Sequence, residues 1–455
     1  MAIADHHNAN TSSLDSIPDE VLNLVFHKAI NISPMILHAS KMPYIISRVC
    51  KRWRNLSLES KLLWRYFVFY PSQKGNQHTP LLSLERSDGA LLVVFIDYPK
   101  LVATDMTDAL TNDITLTLLP YMTSVASLHI AFDRLDLVPR ILRLFFEHDS
   151  LKSLEYLHLE STGVSPGFIV KHIDCDATKR NDMLESIRVL HLCGIHTDWT
   201  RGAYKNLVEF ELGNTIGLRI EDVAKILRAN PSLRFVNLHG HYFAPSAGTI
   251  DQIQLSDLRS FKVAALRPSE ELERLLLALS WPPSNQLDLC IDNLEISKKD
   301  WLRFPRWEAP PSSTFRLGEK LSPPVLRKLL PMMRSVDTLL YYNGYLDDSV
   351  AELLTEHQSN SDGENYPQFQ TIELRVCRII GQDPLRKLIL AHNVHRLRLI
   401  QCTVLHEYEA LPAWRSYKLV NKDMGISSWL EKVVADFEIC NDGMSSSLYP
   451  FNIHG

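Results

Sequence analysis

The feature that most constrains this chain is a short apolar-polar-apolar triplet that recurs along most of its length. It reads Leu128-His129-Ile130, Leu157-His158-Leu159, Leu190-His191-Leu192, Phe210-Glu211-Leu212, Val236-Asn237-Leu238, Phe261-Lys262-Val263, Leu287-Asp288-Leu289, Phe315-Arg316-Leu317, Ile372-Glu373-Leu374 and Leu397-Arg398-Leu399. Alternation of this kind is the mark of a half-buried strand. Between triplets lie helical apolar patterns, clearest in Ile220 to Leu238, where Val223, Ile226 and Leu227 make a helix face and Asn230-Pro231 ends it. Similar units occupy Leu137 to Leu159, Ser269 to Leu289, Pro323 to Tyr341 and Asp383 to Leu399.

One such unit cannot bury both its helix stripe and its strand, so successive units must stack, each adding a parallel strand. The expected fold class is α/β: a curved solenoid over residues 90–455, with a parallel sheet on the concave side and helices outside. The alternative is one doubly wound α/β domain, which strand-helix alternation alone does not distinguish. Strand side chains alternate, so the middle residue of each triplet faces outward.

The first part of the chain follows different rules. Residues 1–13 are polar and read as a disordered leader, without the charged start and apolar core of a secretory signal. From Ser16-Ile17-Pro18-Asp19-Glu20 a helix is expected, because Pro suits a first turn and the two acids complement the positive end of the helix dipole. Val21, Leu22, Val25, Phe26 and Ala29 then form an apolar stripe. Pro34 and Pro43 bracket an expected connector, followed by a second stripe of Ile45, Ile46, Val49, Trp53 and Leu56 and then by Leu62-Leu63-Trp64. Residues 71–89, rich in Ser, Gly, Gln and Pro, read as a linker.

In their order, Ile17-Pro18-Asp19-Glu20-Val21-Leu22, Val49-Cys50-Lys51-Arg52-Trp53-Arg54-Asn55-Leu56 and Leu62-Leu63-Trp64 make residues 14–70 resemble an F-box. The stretch from Ile30 to Tyr44 is longer than the family pattern. The triplet array in turn is similar to the degenerate leucine-rich repeats of fungal and plant F-box proteins, although it lacks a regular Asn ladder. The resemblance implies a three-helix module that binds a Skp-type adaptor and through it a cullin-RING ligase. It also implies adaptor contacts among Ile17, Pro18, Glu20, Val21, Leu22, Val25, Val49, Trp53, Leu56, Leu63 and Trp64.

Other chemistry finds little footing. No phosphate-binding Gly loop, HExxH or GxSxG is present, so an enzyme is not expected, and no cofactor is implied. The seven cysteines are scattered without a CxxC pair, which fits reduced thiols. A net charge of -5 gives no broad attraction for nucleic acid or anionic membranes. The longest apolar run, Ala90 to Ile96, is far short of the roughly 20 residues a bilayer span needs. A cytoplasmic or nuclear location is expected.

The outward row supplies the candidate substrate contacts: His129, His158, His191, Glu211, Asn237, Lys262, Asp288, Arg316, Glu373 and Arg398. Its three histidines, on consecutive triplets, read as partner contact or solvated surface before metal, since a straight column rarely gives metal geometry. Arg316 and Arg398 stand out as bidentate holders of carboxylate or phosphate. The expected function is that of a substrate-recognition subunit of an SCF-type ubiquitin ligase, acting on a protein substrate. The competing function is a leucine-rich interaction scaffold in which the first helices only cap the array.

Overall fold

The computed structural model describes residues 16–32, 36–69, 78–97, 116–132, 153–161, 168–169, 184–196, 204–244, 250–265, 278–280, 288–292, 314–317, 336–342, 344–355, 367–405, 418–420 and 424–441, with single positions at 114, 142, 248, 271, 274, 275 and 330. These residues fall into two compact units, one ending at Tyr156 and the other beginning at Leu157.

The first unit opens with helices α1 (Asp19–Ile32), α2 (Ile36–Ile46) and α3 (Lys51–Glu59) and a short 3-10 turn, Lys61–Trp64. In α1 the i, i+4, i+8 set Leu22, Phe26 and Ile30 is buried against Ala39, Ile46, Leu56, Leu63 and Trp64. The expected connector between Pro34 and Pro43 is largely helix instead, since α2 runs through Pro43. Pro43 has no N–H to donate within the helix, but its carbonyl accepts from the Ser47 N–H at 3.0 Å, and Met42, Tyr44 and Ile46 pack on the core. Here packing outweighs the lost bond.

The second apolar stripe is not one helix. Cys50 is extended, with φ -155°, and its Sγ accepts the Trp53 N–H at 3.4 Å, so α3 starts afresh after a turn. Arg52 donates to Asp19 Oδ1 at 2.8 Å and to the Ile17 carbonyl, tying the start of α3 to the start of α1.

Strands β1 (Tyr66–Phe69), β2 (Leu92–Asp97) and β3 (Val125–Phe132) follow as a parallel set. The strand ladder therefore begins inside the segment assigned to the helical module. Helix α4 (His78–Ser87) lies within the segment expected to be linker. It is bound to the module: the Tyr44 hydroxyl meets Ser83 Oγ at 2.8 Å, and the Arg86 guanidinium lies 4.4 Å from the Trp64 ring centroid.

The second unit is built on strands β4 (Tyr156–Ser161), β5 (Val189–Cys193), β6 (Glu209–Gly213), β7 (Phe235–Phe243), β8 (Ser260–Ala265), β9 (Asp288–Asp292), β10 (Thr314–Leu317), β11 (Thr338–Tyr342), β12 (Thr371–Arg375), β13 (Arg396–Ile400) and β14 (Asp436–Cys440). Their order in the sheet follows their order in the chain, without the reversal of a doubly wound sheet. The pairs from β5 to β14 are parallel. Helices α5 (Ile220–Ala229), α6 (Asp348–Thr355), α7 (Asp383–His392) and α8 (Gly425–Val433) are interleaved with them. The inward pairs Leu190/Leu192, Phe210/Leu212, Val236/Leu238, Phe261/Val263, Phe315/Leu317, Ile372/Leu374 and Leu397/Leu399 are all buried.

Among the described residues, five of the turns out of these strands repeat one device. The residue two beyond the last inward position has positive φ at Gly194, Asn214, Gly240, Val376 and Gln401. Buried Thr215, Cys377 and Cys402 come directly after such a residue. Cys377 Sγ donates to the Tyr341 carbonyl at 3.1 Å, and Cys402 Sγ to the Leu374 carbonyl at 3.2 Å. The cysteines thus satisfy backbone carbonyls that the sheet leaves over, which is a structural use of a thiol.

Leu238 is fully buried between neighbouring strands. Leu238→Asp should therefore cost several kcal/mol, the penalty of an unpaired buried charge, and abolish the cooperative thermal transition of the second unit in circular dichroism.

Candidate functional site

Two surfaces carry candidate sites, one in each unit. On the helical module the apolar stripe is wider than its core. Leu22, Leu56, Leu63 and Trp64, expected as adaptor contacts, are 6% exposed or less and so lie in the core, where a docked chain does not reach them. They support the surface instead of forming it. Trp53 is half-buried and stands edge-on to Phe26, with ring centroids 4.8 Å apart.

What remains outside is still strongly apolar. Val21, Leu24, Val25, Ile45, Val49, Leu58 and Leu62 are exposed, together with Pro18 and Glu20, while Ile17 packs partly against the core. Leu24 is 68% exposed. Leu24, Ile45, Leu58 and Leu62 were not among the expected contacts. Isolated exposed leucines are ordinary, but several on so small a module are not.

In the second unit the backbone register corrects the outward row. In-register partners run His191, Glu211, Asn237, Lys262, Cys290, Arg316, Leu340, Glu373, Arg398 and Glu438. Cys290, not Asp288, holds the place in β9. Asp288 is two residues earlier, on the same face, in register with Ser260 and Thr314. The first unit has an in-register row of its own, Val68, Phe95 and His129, and the His129 ring stacks between Phe95 at 3.9 Å and Tyr156 at 4.5 Å.

Adjacent parallel strands are about 4.8 Å apart, so in-register side chains meet. Towards β14 they meet as opposite charges. Arg316 Nε is 2.8 Å from Asp288, and Arg398 is held between Glu438 at 2.7 Å and Glu373 at 3.3 Å. Glu373 is also bonded by Arg375, and Arg396 lies 3.0 Å from Asp436. The two arginines expected to grip a substrate anion are thus already engaged by carboxylates of this chain.

Across β4–β7 the carboxylates meet imidazoles instead. His158 lies 3.5 Å from Glu160, His191 2.9 Å from Glu209 and 4.0 Å from Glu211, and His239 3.2 Å from Glu211. The His158 and His191 rings are 5.6 Å apart, edge to face. Burial pushes the Glu211 carboxyl up, but the hydrogen bond from His239 and the charges of His191 and His239 outweigh it and hold the group at about 2. Burial, with Glu160 nearby, pushes the Cys193 thiol up to about 11, and Asn214 Nδ2 donates to its sulfur at 3.3 Å. Gly213 makes the arrangement possible: a Cβ there would stand 2.2 Å from the His239 ring, so only glycine lets that imidazole cross its strand toward Glu211.

Among the described residues, no group of three or more His, Cys, Asp or Glu side chains is arranged to hold a metal ion. No helix among them is long and apolar enough to cross a membrane.

No family model matches the chain, and no curated protein matches it. Among solved structures, an internalin from Listeria monocytogenes superposes on 65% of this chain and 83% of its own, with 12% sequence identity and a TM-score of 0.27.

The depressed Glu211 carboxyl makes a stability prediction. Its contribution is fully present above the ordinary value of 4.5 and drains away as pH falls toward about 2. Thermal melts from pH 5 downward should show this slope in the wild type and a shallower one in Glu211→Gln. Gly213→Ala should displace the His239 ring, cost about 1 kcal/mol at pH 7 and move the Glu211 carboxyl up toward its ordinary range in an NMR titration.

Proposed function

We propose that this chain is the substrate-recognition subunit of an SCF-type ubiquitin ligase. The helical module docks on a Skp-type adaptor, which bridges to a cullin-RING assembly. The outward sheet face holds a protein substrate, and the chain performs no chemistry of its own.

One observation carries the reading: the module that resembles an F-box in three ordered motifs leaves Val21, Leu24, Val25, Ile45, Val49, Leu58 and Leu62 in solvent after its own core is complete. A module of about 50 residues has little stability to spare for exposed apolar surface, and a partner helix laid on it would remove that surface from water. For the second unit the finer reading is a leucine-rich solenoid. Its support is the chain-order parallel sheet and the buried polar residue five beyond the first inward position, as in Ile372 to Cys377 and Leu397 to Cys402, the spacing of leucine-rich repeats.

A second reading, an interaction scaffold unconnected to ubiquitination, draws on the contacts of Tyr44 with Ser83 and of Arg86 with Trp64, which suit helices that cap a strand array.

Co-elution of the full chain with a Skp-type adaptor separates the two. Val21→Asp with Val25→Asp changes only exposed positions and should weaken adaptor binding by at least about a hundredfold while leaving the melting temperature nearly unchanged. A wild-type chain that does not co-elute, or a double variant that binds equally well, would leave the scaffold reading standing. Leu22→Asp is unsuitable for this purpose, because Leu22 is core.

A further inference from the structure

The outward face of the second unit is electrostatically divided. From β9 to β14 each carboxylate described above is matched by a guanidinium: Asp288 by Arg316, Glu373 by Arg375 and Arg398, Glu438 by Arg398 and Asp436 by Arg396. From β4 to β7 the same face carries Glu160, Glu209 and Glu211, and the ion-pair partners of these three among the described residues are imidazoles, those of His158, His191 and His239. Lys262 stands one strand beyond, separated from Glu211 in the row by Asn237. A guanidinium carries a permanent positive charge, whereas an imidazole is also a hydrogen-bond partner without one. Among the described residues, this half of the face therefore presents carboxylates without the permanently cationic partners of the other half.

An exposed apolar side chain stands beside these carboxylates. Phe235 is 43% exposed and in register with Glu209, on the strand next to Glu209 and Glu211. Lys and Arg have this chemistry in complement, an aliphatic stem that lies on a ring and a cationic head that reaches a carboxylate.

We propose that the face of β4–β7 engages its partner through a Lys- or Arg-bearing extended segment, with Phe235 under the aliphatic stem and Glu209 and Glu211 at the cation. The inference rests on the reading of this chain as a substrate receptor and names the class of segment it takes. An acidic or phosphorylated segment meets like charge at β4–β7 and guanidinium groups already engaged at β10–β14. The groups that share the face are His158 and Glu160 on β4, His191 and Cys193 on β5, Glu209 and Glu211 on β6, Asn237 and His239 on β7 and Lys262 on β8.

The probe is a fluorescein-labelled peptide of alternating Ala and Lys, compared with one of alternating Ala and Glu, each titrated against the full chain and read by anisotropy. Glu209→Gln with Glu211→Gln should weaken Ala-Lys binding by more than about tenfold at pH 7.5, the loss of two charge-assisted contacts. Glu352→Gln with Glu431→Gln, on helices α6 and α8, removes the same net charge and should change it less than about twofold. The wild type should bind the Ala-Lys peptide at least about tenfold more tightly than the Ala-Glu peptide, a measurement that needs no variant to fold. Phe235→Ser, which keeps every charge, should weaken Ala-Lys binding severalfold. Equal losses in the two double variants, or equal binding of the two peptides or preference for the Ala-Glu peptide, would overturn the proposal. Adaptor co-elution is measured on the same samples: retained co-elution with failed peptide binding sinks this inference alone, and the converse sinks only the ubiquitin-ligase reading.

Discussion

The structure depends on parallel register between each strand and the next. Once Phe210 pairs with Val236 and Leu212 with Leu238, the inward rows are set, and every outward residue is placed beside a known neighbour. The buried rows supply the energy, at about 25 cal/mol per Å² of apolar surface removed from water, and the backbone bonds supply the direction. The charge pairs of the outward face follow from both. Arg398 meets Glu373 and Glu438 because the strands carrying them are neighbours in register, not because of any sequence proximity.

The same dependence explains which parts of the fold were legible in the sequence. Inward positions announce themselves by alternation, and triplets such as Leu190-His191-Leu192, Phe210-Glu211-Leu212 and Leu397-Arg398-Leu399 stand on their strands as read. In β9 the segment Leu287-Asp288-Leu289-Cys290-Ile291 offers two overlapping apolar-polar-apolar triplets, and only pairing with Lys262 and Arg316 selects Cys290. The triplet of β11 hid because its outward residue is Leu340, which reads as apolar run instead of alternation. Partnerships among outward side chains were out of reach altogether, since they need the register first. Glu160, Glu209 and His239 could have been found as the second outward residue of strands whose first was known.

In the helical module the stripe was legible but its inner edge was not. Leu22 and Val21 are adjacent, and both read as apolar face, yet Leu22 is core and Val25, three positions on, is solvent-exposed. A helix with a stripe this broad has a face for its own fold and a face left over. The division between them is set by where α2 and α3 approach, which depends on the cap at Cys50 and on a helix that tolerates Pro43. Neither is a matter of apolar periodicity.

Val376 sits at φ 54° in the turn after β12, a conformation that a β-branched residue reaches only with strain, where other turns of the series use Gly194, Gly240 or Asn214. The turns are therefore equal in geometry but unequal in energy. In an array whose strands touch only their neighbours along the chain, such a difference is not averaged over the whole fold but stays local. The rung between β12 and the segment Arg378–Ile380 is thus a built-in weak link. Under heat, denaturant or mechanical pull, hydrogen exchange would be fastest to report opening there, and the array would come apart into blocks instead of melting as one body.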